Sequence, residues 1–87
     1  MIEIAVHPHA LKHGLIKEEI EFAWNNFIRQ RHRQTPHSDQ VIAVGATRAG
    51  LVVEMVAVEM SEELLIYHAV TPPTESILRE LGLARRK

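Results

Sequence analysis

The sequence contains no cysteine, and none of its apolar runs approaches the roughly 20 residues that cross a bilayer. The absence of cysteine excludes disulfide bonds, thiolate metal ligands and thiol nucleophiles. The first ten residues also lack the basic and apolar regions of a signal peptide. Together these absences predict a cytoplasmic protein that does not contact a membrane.

The chain also lacks a strong excess of either charge. Its net charge is −1 with histidine neutral, so no global field draws it towards nucleic acid. It has no internal repeat, low-complexity tract or linker. A length of 87 residues and an apolar content of 46% suit one globular domain, covering residues 1–87.

The first third of the chain predicts a strand followed by two helices. Ile2–Val6 alternates between apolar and other residues as a strand does. Pro8–His13 reads as a short helix, because proline is favoured at a first helical position and Gly14 is suited to follow the last. Lys17–Arg29 has apolar residues spaced by three and four, with acidic residues in its first turns. This spacing predicts a longer amphipathic helix.

The rest of the chain predicts an antiparallel meander and a final helix. Residues 30–40 lack apolar residues and contain Pro36, which predicts a loop. Three strand-like runs follow, joined by connections of hairpin length: Val41–Ala46, Leu51–Val58 and Leu64–Val70. Thr74–Leu81 reads as the last helix. The predicted fold class is therefore α+β: a short N-terminal strand, two helices, a three-stranded antiparallel meander and a C-terminal helix.

One histidine interrupts an otherwise apolar strand. His68 lies between Ile66 and Val70 on one face of the third meander strand. A polar group there costs free energy unless it is hydrogen-bonded or faces a cleft. His68 is therefore either a satisfied sheet histidine or a general acid or base on a rigid strand. The second meander strand is a separate case, because it is apolar on both faces except near Glu54. Apolar residues on both faces predict that this strand is central in the sheet.

Five basic side chains lie in a nine-residue stretch that has no acidic residue: Arg29, Arg31, His32, Arg33 and His37. Guanidinium groups bind phosphate bidentately, and a loop can present them without a competing structural requirement. A solvated polar loop has the same composition. Both interpretations stay open from the sequence.

A pair of histidines raises the question of a metal site. His9 and His13 are four residues apart, which places them on one face of a helix and allows chelation. The pair lacks the neighbouring glutamate of a zinc-protease motif, and no third ligand is evident. We therefore predict no metal site. Surface histidines at the edge of a helix are the simpler interpretation.

Short motifs in a particular order carry a resemblance to a known family. The motifs are Lys12-His13-Gly14-Leu15 after the first strand, Glu18-Glu19-Ile20 at the start of the longer helix, Arg48-Ala49-Gly50 before the second meander strand and His68-Ala69 near the end of the third. Over about residues 2–75 the chain resembles the BrnT-type toxins of bacterial type II toxin–antitoxin systems, which have a RelE-like ribonuclease fold.

The resemblance implies an endoribonuclease that needs neither metal nor cofactor. In such a reaction a 2′-hydroxyl of mRNA attacks the adjacent phosphate, and cations stabilise the developing charge. The implied catalytic residues are His68, His13 and Lys12, and the implied RNA-phosphate ligands are Arg29, Arg31, Arg33 and Arg48. The resemblance further implies a cognate antitoxin that covers the site and contacts operator DNA, which this near-neutral chain would reach only through that partner.

The chain departs from the family at the end of the third meander strand. The family's serine-alanine-arginine element falls on His68, Ala69 and Val70, so a valine stands where the family has an arginine. This departure favours an alternative function, a non-catalytic interaction domain of the same fold. A third hypothesis is a small metal-binding protein based on the histidines.

Overall fold

Residues 3–83 are described by a computed structural model, and they form a mixed α+β fold. The elements in chain order are strand β1 (Glu3–Val6), a 3-10 helix (Pro8–Leu11), helix α1 (Lys17–Asn25), strands β2 (Phe27–His32), β3 (Gln40–Ala46), β4 (Val52–Glu59) and β5 (Glu63–Val70), and helix α2 (Glu75–Glu80). The strands form one sheet in the order β1-β5-β4-β3-β2. No helix within residues 3–83 is long and apolar enough to span a membrane.

The predicted meander forms the middle of this sheet. β4 pairs antiparallel with β3 on one side and with β5 on the other. β4 is also buried along most of its length, as expected for a central strand with apolar residues on both faces. The α+β class is therefore confirmed, but the sheet is not limited to the three strands of the meander, because β1 and β2 extend it to five.

The longest predicted helix ends earlier than its apolar spacing suggests. α1 ends at Asn25, and Asn26 closes it by donating from its backbone N–H and its side chain to the Phe22 carbonyl. The segment predicted as helix end and loop is β2, which pairs antiparallel with β3. Its polar sequence concealed this strand, because an edge strand needs no continuous apolar face. The prediction of a helix over Lys17–Arg29 and a loop over 30–40 is therefore wrong from residue 27 to residue 32.

The elements near the two ends of the chain, β1, the 3-10 helix and α2, are also shorter than predicted. The N-terminal strand is present over Glu3–Val6, with Ile2 outside the described residues, and it pairs parallel with β5. The predicted helix over Pro8–His13 is a single 3-10 turn, a conformation that rarely extends further. α2 begins after Thr74, whose hydroxyl accepts a hydrogen bond from the Ile77 N–H and so acts as the N-cap.

Helices cover both faces of the sheet. α1 and the 3-10 helix pack on one face, around a core that includes Ile20, Trp24 and Met55. α2 packs on the other face, where Ile77 and the C-cap residue Leu81 form one apolar cluster with Ile42, Val44 and Val56. The sheet is therefore the middle layer of three, which places its polar residues either under a helix or at an edge.

Gly45 lets α1 lie directly against β3. A Cβ atom at this position would collide with the Ala23 carbonyl of α1. We predict that Gly45→Ala lowers the free energy of unfolding by about 2 kcal/mol, since the helix must move away from the sheet. Urea denaturation measures this loss, with Ser61→Ala in the β4–β5 turn as the control. Equal stability of the two variants would show that the contact is not tight.

Candidate functional site

A β-bulge sets the direction of His68. Ala57 pairs with Ile66 and Val56 pairs with His68, so Tyr67 has no partner of its own on β4. The extra residue brings His68 opposite Val56. Glu54 lies two residues from Val56 on the same face of β4, which makes it the diagonal neighbour of His68. The bulge therefore turns the histidine towards a carboxylate on the central strand.

The carboxylate of Glu54 is nearly buried and fully bonded. Its side chain is 4% exposed, and its Oε2 lies 2.7 Å from His68 Nε2. Its Oε1 accepts from the Thr74 backbone N–H at 2.6 Å and from the Thr74 hydroxyl at 2.8 Å. These hydrogen bonds compensate for removing the carboxylate from water. Glu54 thus links His68 on β5 to Thr74, the N-cap residue of α2.

The hydrogen bond to Glu54 also bears on which nitrogen of the His68 ring carries a hydrogen. When Glu54 is ionised its carboxylate can only accept, and Nε2 then carries the hydrogen of this bond. In the neutral ring Nδ1 is then the proton acceptor. Nδ1 has no hydrogen-bond partner among residues 3–83, and the side chain is 32% exposed. The site therefore presents an oriented, partly exposed imidazole with one ring nitrogen that has no partner among residues 3–83.

His13 lies beside His68. The pairing of β1 with β5 ends at Ile66, and the 3-10 helix that follows β1 packs against β5. The ring centroids of His13 and His68 are 6.3 Å apart, in an edge-to-face arrangement. Lys12 caps the 3-10 helix and is exposed next to His13. Two of the three predicted catalytic side chains therefore meet, and the third is adjacent in the chain.

The arginines of β2 lie at the other end of α2. Arg29 Nη1 donates to the Leu81 carbonyl and Arg31 Nη1 to the Glu80 carbonyl, each at 3.1 Å. Both bonds satisfy carbonyl groups at the end of a helix that have no partner within it. α2 is about 9 Å long, at 1.5 Å per residue. The arginines and His68 therefore share the α2 side of the sheet, but the helix separates them.

Arg33, directly after β2, makes a bidentate contact with Glu80 at the end of α2. Its Nε and Nη2 donate to the two carboxylate oxygens of Glu80 at 2.8 and 3.1 Å, and its Nη1 donates to Gln40 Oε1 at 2.7 Å. The hydrogen bond to Glu80 raises the pKa of the Arg33 guanidinium above its ordinary value. Arg33 is therefore a permanent cation with a bidentate anion partner.

Arg48 lies apart from the other three arginines. Its Nη1 is 3.7 Å from Glu19 Oε2, and its guanidinium carbon is 4.9 Å from the centre of the Phe22 ring. Its backbone N–H also donates to Glu19 Oε1 at 3.0 Å. All of these contacts are to α1. The structure therefore does not bring Arg48 together with the arginines that contact α2.

Glu54 was not among the functional residues predicted from the sequence, although its place in an apolar strand pointed to it. Glu54 is the only charged residue inside an apolar strand that must be buried on both faces. A buried carboxylate requires a partner, and His68 is the polar residue on the neighbouring strand. The pairing itself depends on the bulge at Tyr67, which nothing in the sequence indicates.

No group of three or more histidine, aspartate or glutamate side chains within residues 3–83 is arranged to hold a metal ion. His9 lies in the 3-10 turn, where its backbone N–H donates to His7 Nδ1. His13 lies beyond that turn and contacts His68 instead. The hypothesis of a histidine metal site therefore has no ligand set in the described part of the chain.

No protein-family model matches this sequence, and neither a curated protein nor a solved structure shows significant similarity to it.

The bridge made by Glu54 leads to a prediction about stability. Glu54→Ala removes the acceptor of the two Thr74 hydrogen bonds and of the His68 hydrogen bond, and it leaves a cavity at the buried position of Glu54. We expect it to lower the free energy of unfolding by about 3 kcal/mol. Urea denaturation measures the change. Glu62→Ala, at an exposed acidic residue in the β4–β5 turn, is the matched control, and equal midpoints for the two variants would contradict the prediction.

Proposed function

We propose that this chain is a metal-independent endoribonuclease that acts on mRNA in the cytoplasm, as the toxin component of a type II toxin–antitoxin pair. The observation that carries the proposal is the His13–His68 pair, in which Glu54 orients one of the two rings. The resemblance to BrnT-type toxins supports the same reaction class. The comparisons with known proteins neither add to it nor oppose it.

Two histidines suit RNA cleavage by the neighbouring hydroxyl. His68 Nδ1 takes the proton of a 2′-hydroxyl as its oxygen attacks phosphorus. The bond from phosphorus to the 5′-oxygen then breaks, and His13 gives that oxygen a proton. The products are a 2′,3′-cyclic phosphate and a 5′-hydroxyl. A centroid distance of 6.3 Å lets the two rings contact different oxygens of one phosphate.

Glu54 and Lys12 have supporting roles in this reaction. Glu54 keeps His68 in the tautomer that accepts a proton and holds the ring still, because its other oxygen is bonded to the α2 cap. Lys12 is exposed next to His13, where its ammonium group can stabilise the charge that develops on phosphate. The reaction requires neither a metal nor a cofactor.

The proposed partners follow from the distribution of charge. The near-neutral chain offers no general attraction to DNA, so contact with operator DNA belongs to the antitoxin. The antitoxin covers the His13–His68 pair and prevents cleavage in growing cells. RNA binds mainly through phosphate contacts to arginine and lysine.

A second function is a non-catalytic interaction domain of the same fold. It is favoured by Val70, which stands where the family has an arginine. It is also favoured by the engagement of Arg29, Arg31 and Arg33 with α2. In this alternative the bond from His68 to Glu54 only helps to hold α2 on the sheet.

Expression of the chain alone in bacteria tests the proposed function. We expect growth arrest, with cleaved mRNA that carries 2′,3′-cyclic phosphate ends. His68→Ala or His13→Ala should slow cleavage of a purified RNA by about 100-fold or more and restore growth, because each removes a proton carrier. His9→Ala is the matched control, since His9 is exposed and its ring lies beside His7, not beside His68.

Normal growth at good expression, with no cleavage by the purified protein, would overturn the ribonuclease. Tight binding of a partner protein under the same conditions would then favour the interaction domain. Equal loss of activity in all three histidine variants would show that the His13–His68 pair has no special part in the reaction.

A further inference from the structure

A cleft of about 430 Å³ lies at the C-terminal end of α2, away from His68. It is formed by the end of β2, the loop after it and the last turn of α2. Its lining residues are Arg31, His32, Arg33, Gln34, His37 and Glu80. Its volume lies within the range of small-molecule sites. The basic stretch found in the sequence is therefore folded around a concavity and is not spread over a flat surface.

The lining carries an excess of positive charge. Arg31 and Arg33 are permanent cations, and Glu80 is the single acidic residue among the lining side chains. Arg31 uses one N–H to bond the Glu80 carbonyl, and the rest of its donors have no partner within residues 3–83. A guanidinium has five donors in a fixed plane. Arg31 can therefore bind an anion without giving up its bond to α2.

The loop that forms the outer wall of the cleft is held in shape by backbone hydrogen bonds. The Arg33 N–H donates to the Gln40 carbonyl, the His37 N–H to the Gln34 carbonyl and the Gln40 N–H to the His37 carbonyl, each at 2.9 Å. These bonds hold His37, which also lines the cleft, in the same loop. The concavity exists before any ligand arrives, which reduces the ordering that binding would require.

Glu80 already occupies part of the cleft as an anion. Its two oxygens bind Arg33 in the parallel, two-bond geometry that a guanidinium also makes with phosphate. The Glu80 side chain is on the surface, not locked in the core. An incoming phosphate can therefore compete with this carboxylate for the same donors.

We propose that this cleft binds a phosphate group of an RNA chain through Arg31 and Arg33, and that Glu80 is an internal competitor for the site. The choice of RNA rests on the proposed function, whereas recognition of the phosphate rests on the cleft alone. The cleft and the His13–His68 pair lie at opposite ends of α2. One RNA strand that passes along the helix could contact both.

A binding experiment with a probe that cannot be cleaved tests this site. Amide chemical shifts of the wild-type chain are followed during titration with a single-stranded tetramer of 2′-deoxynucleotides, and separately with 5′-AMP. The tetramer has no 2′-hydroxyl, so binding is measured whether or not the protein is a ribonuclease. We expect shifts concentrated at residues 31–37 and at Glu80, with tighter binding of the tetramer than of 5′-AMP.

Three variants assign the roles of the side chains. Arg31→Gln should weaken binding of the tetramer about tenfold, because a charge-assisted contact is lost. Glu80→Gln should tighten binding severalfold, since the neutral amide competes less well for Arg33. Arg79→Gln is the matched control: Arg79 is exposed on α2 and pairs with Glu75, outside the cleft. It should bind as the wild-type chain does.

Each outcome bears on one part of the proposal. The absence of shifts at the cleft with both probes would overturn the site. Tighter binding of 5′-AMP would overturn RNA as the source of the phosphate, and unchanged affinity in Glu80→Gln would overturn the competition. Binding of the tetramer at the cleft in a chain that neither arrests growth nor cleaves RNA would support the phosphate site while removing the proposed ribonuclease.

Discussion

The carboxylate of Glu54 connects three parts of the fold through side-chain hydrogen bonds: the central strand β4, the bulged strand β5 and the start of α2. One oxygen binds His68 on β5, and the other binds the backbone and side chain of Thr74 before α2. A buried carboxylate is costly unless all of its bonds are made, so the central strand, the bulged strand and the helix cap must adopt this arrangement together. The direction of the His68 ring and the position of α2 therefore have the same cause.

α2 is held at both ends by polar contacts that differ in kind. At its N-terminus a buried carboxylate accepts from the cap residue Thr74. At its C-terminus arginine side chains donate to the last carbonyl groups and to Glu80. Ile77 is the only buried residue of this six-residue helix, and the C-cap residue Leu81 is buried next to it. Such a helix has little stability of its own, so its polar ends decide how it lies on the sheet.

The sequence predicted the parts of the fold in which one periodicity dominates. The meander was visible because β3, β4 and β5 alternate or are apolar throughout, and His68 was visible as an exception to that pattern. β2 was not visible, because Arg29 and Arg31 bond to a helix more than forty residues later in the chain, a contact that leaves no local periodicity. The pairing of His68 with Glu54 also depends on a bulge, and a one-residue shift in register is set by tertiary packing.

The parallel pairing of β1 with β5 has a consequence for the order in which the protein becomes complete. Among the strands of residues 3–83, β1 is synthesised before all the others, yet its partner β5 is synthesised after them. Contacts between distant parts of a chain form late, because a long loop must close first. His13 follows β1 and reaches His68 only when that loop has closed. A nascent chain that stops before β5 thus lacks the assembled histidine pair, and synthesis itself delays the appearance of the site.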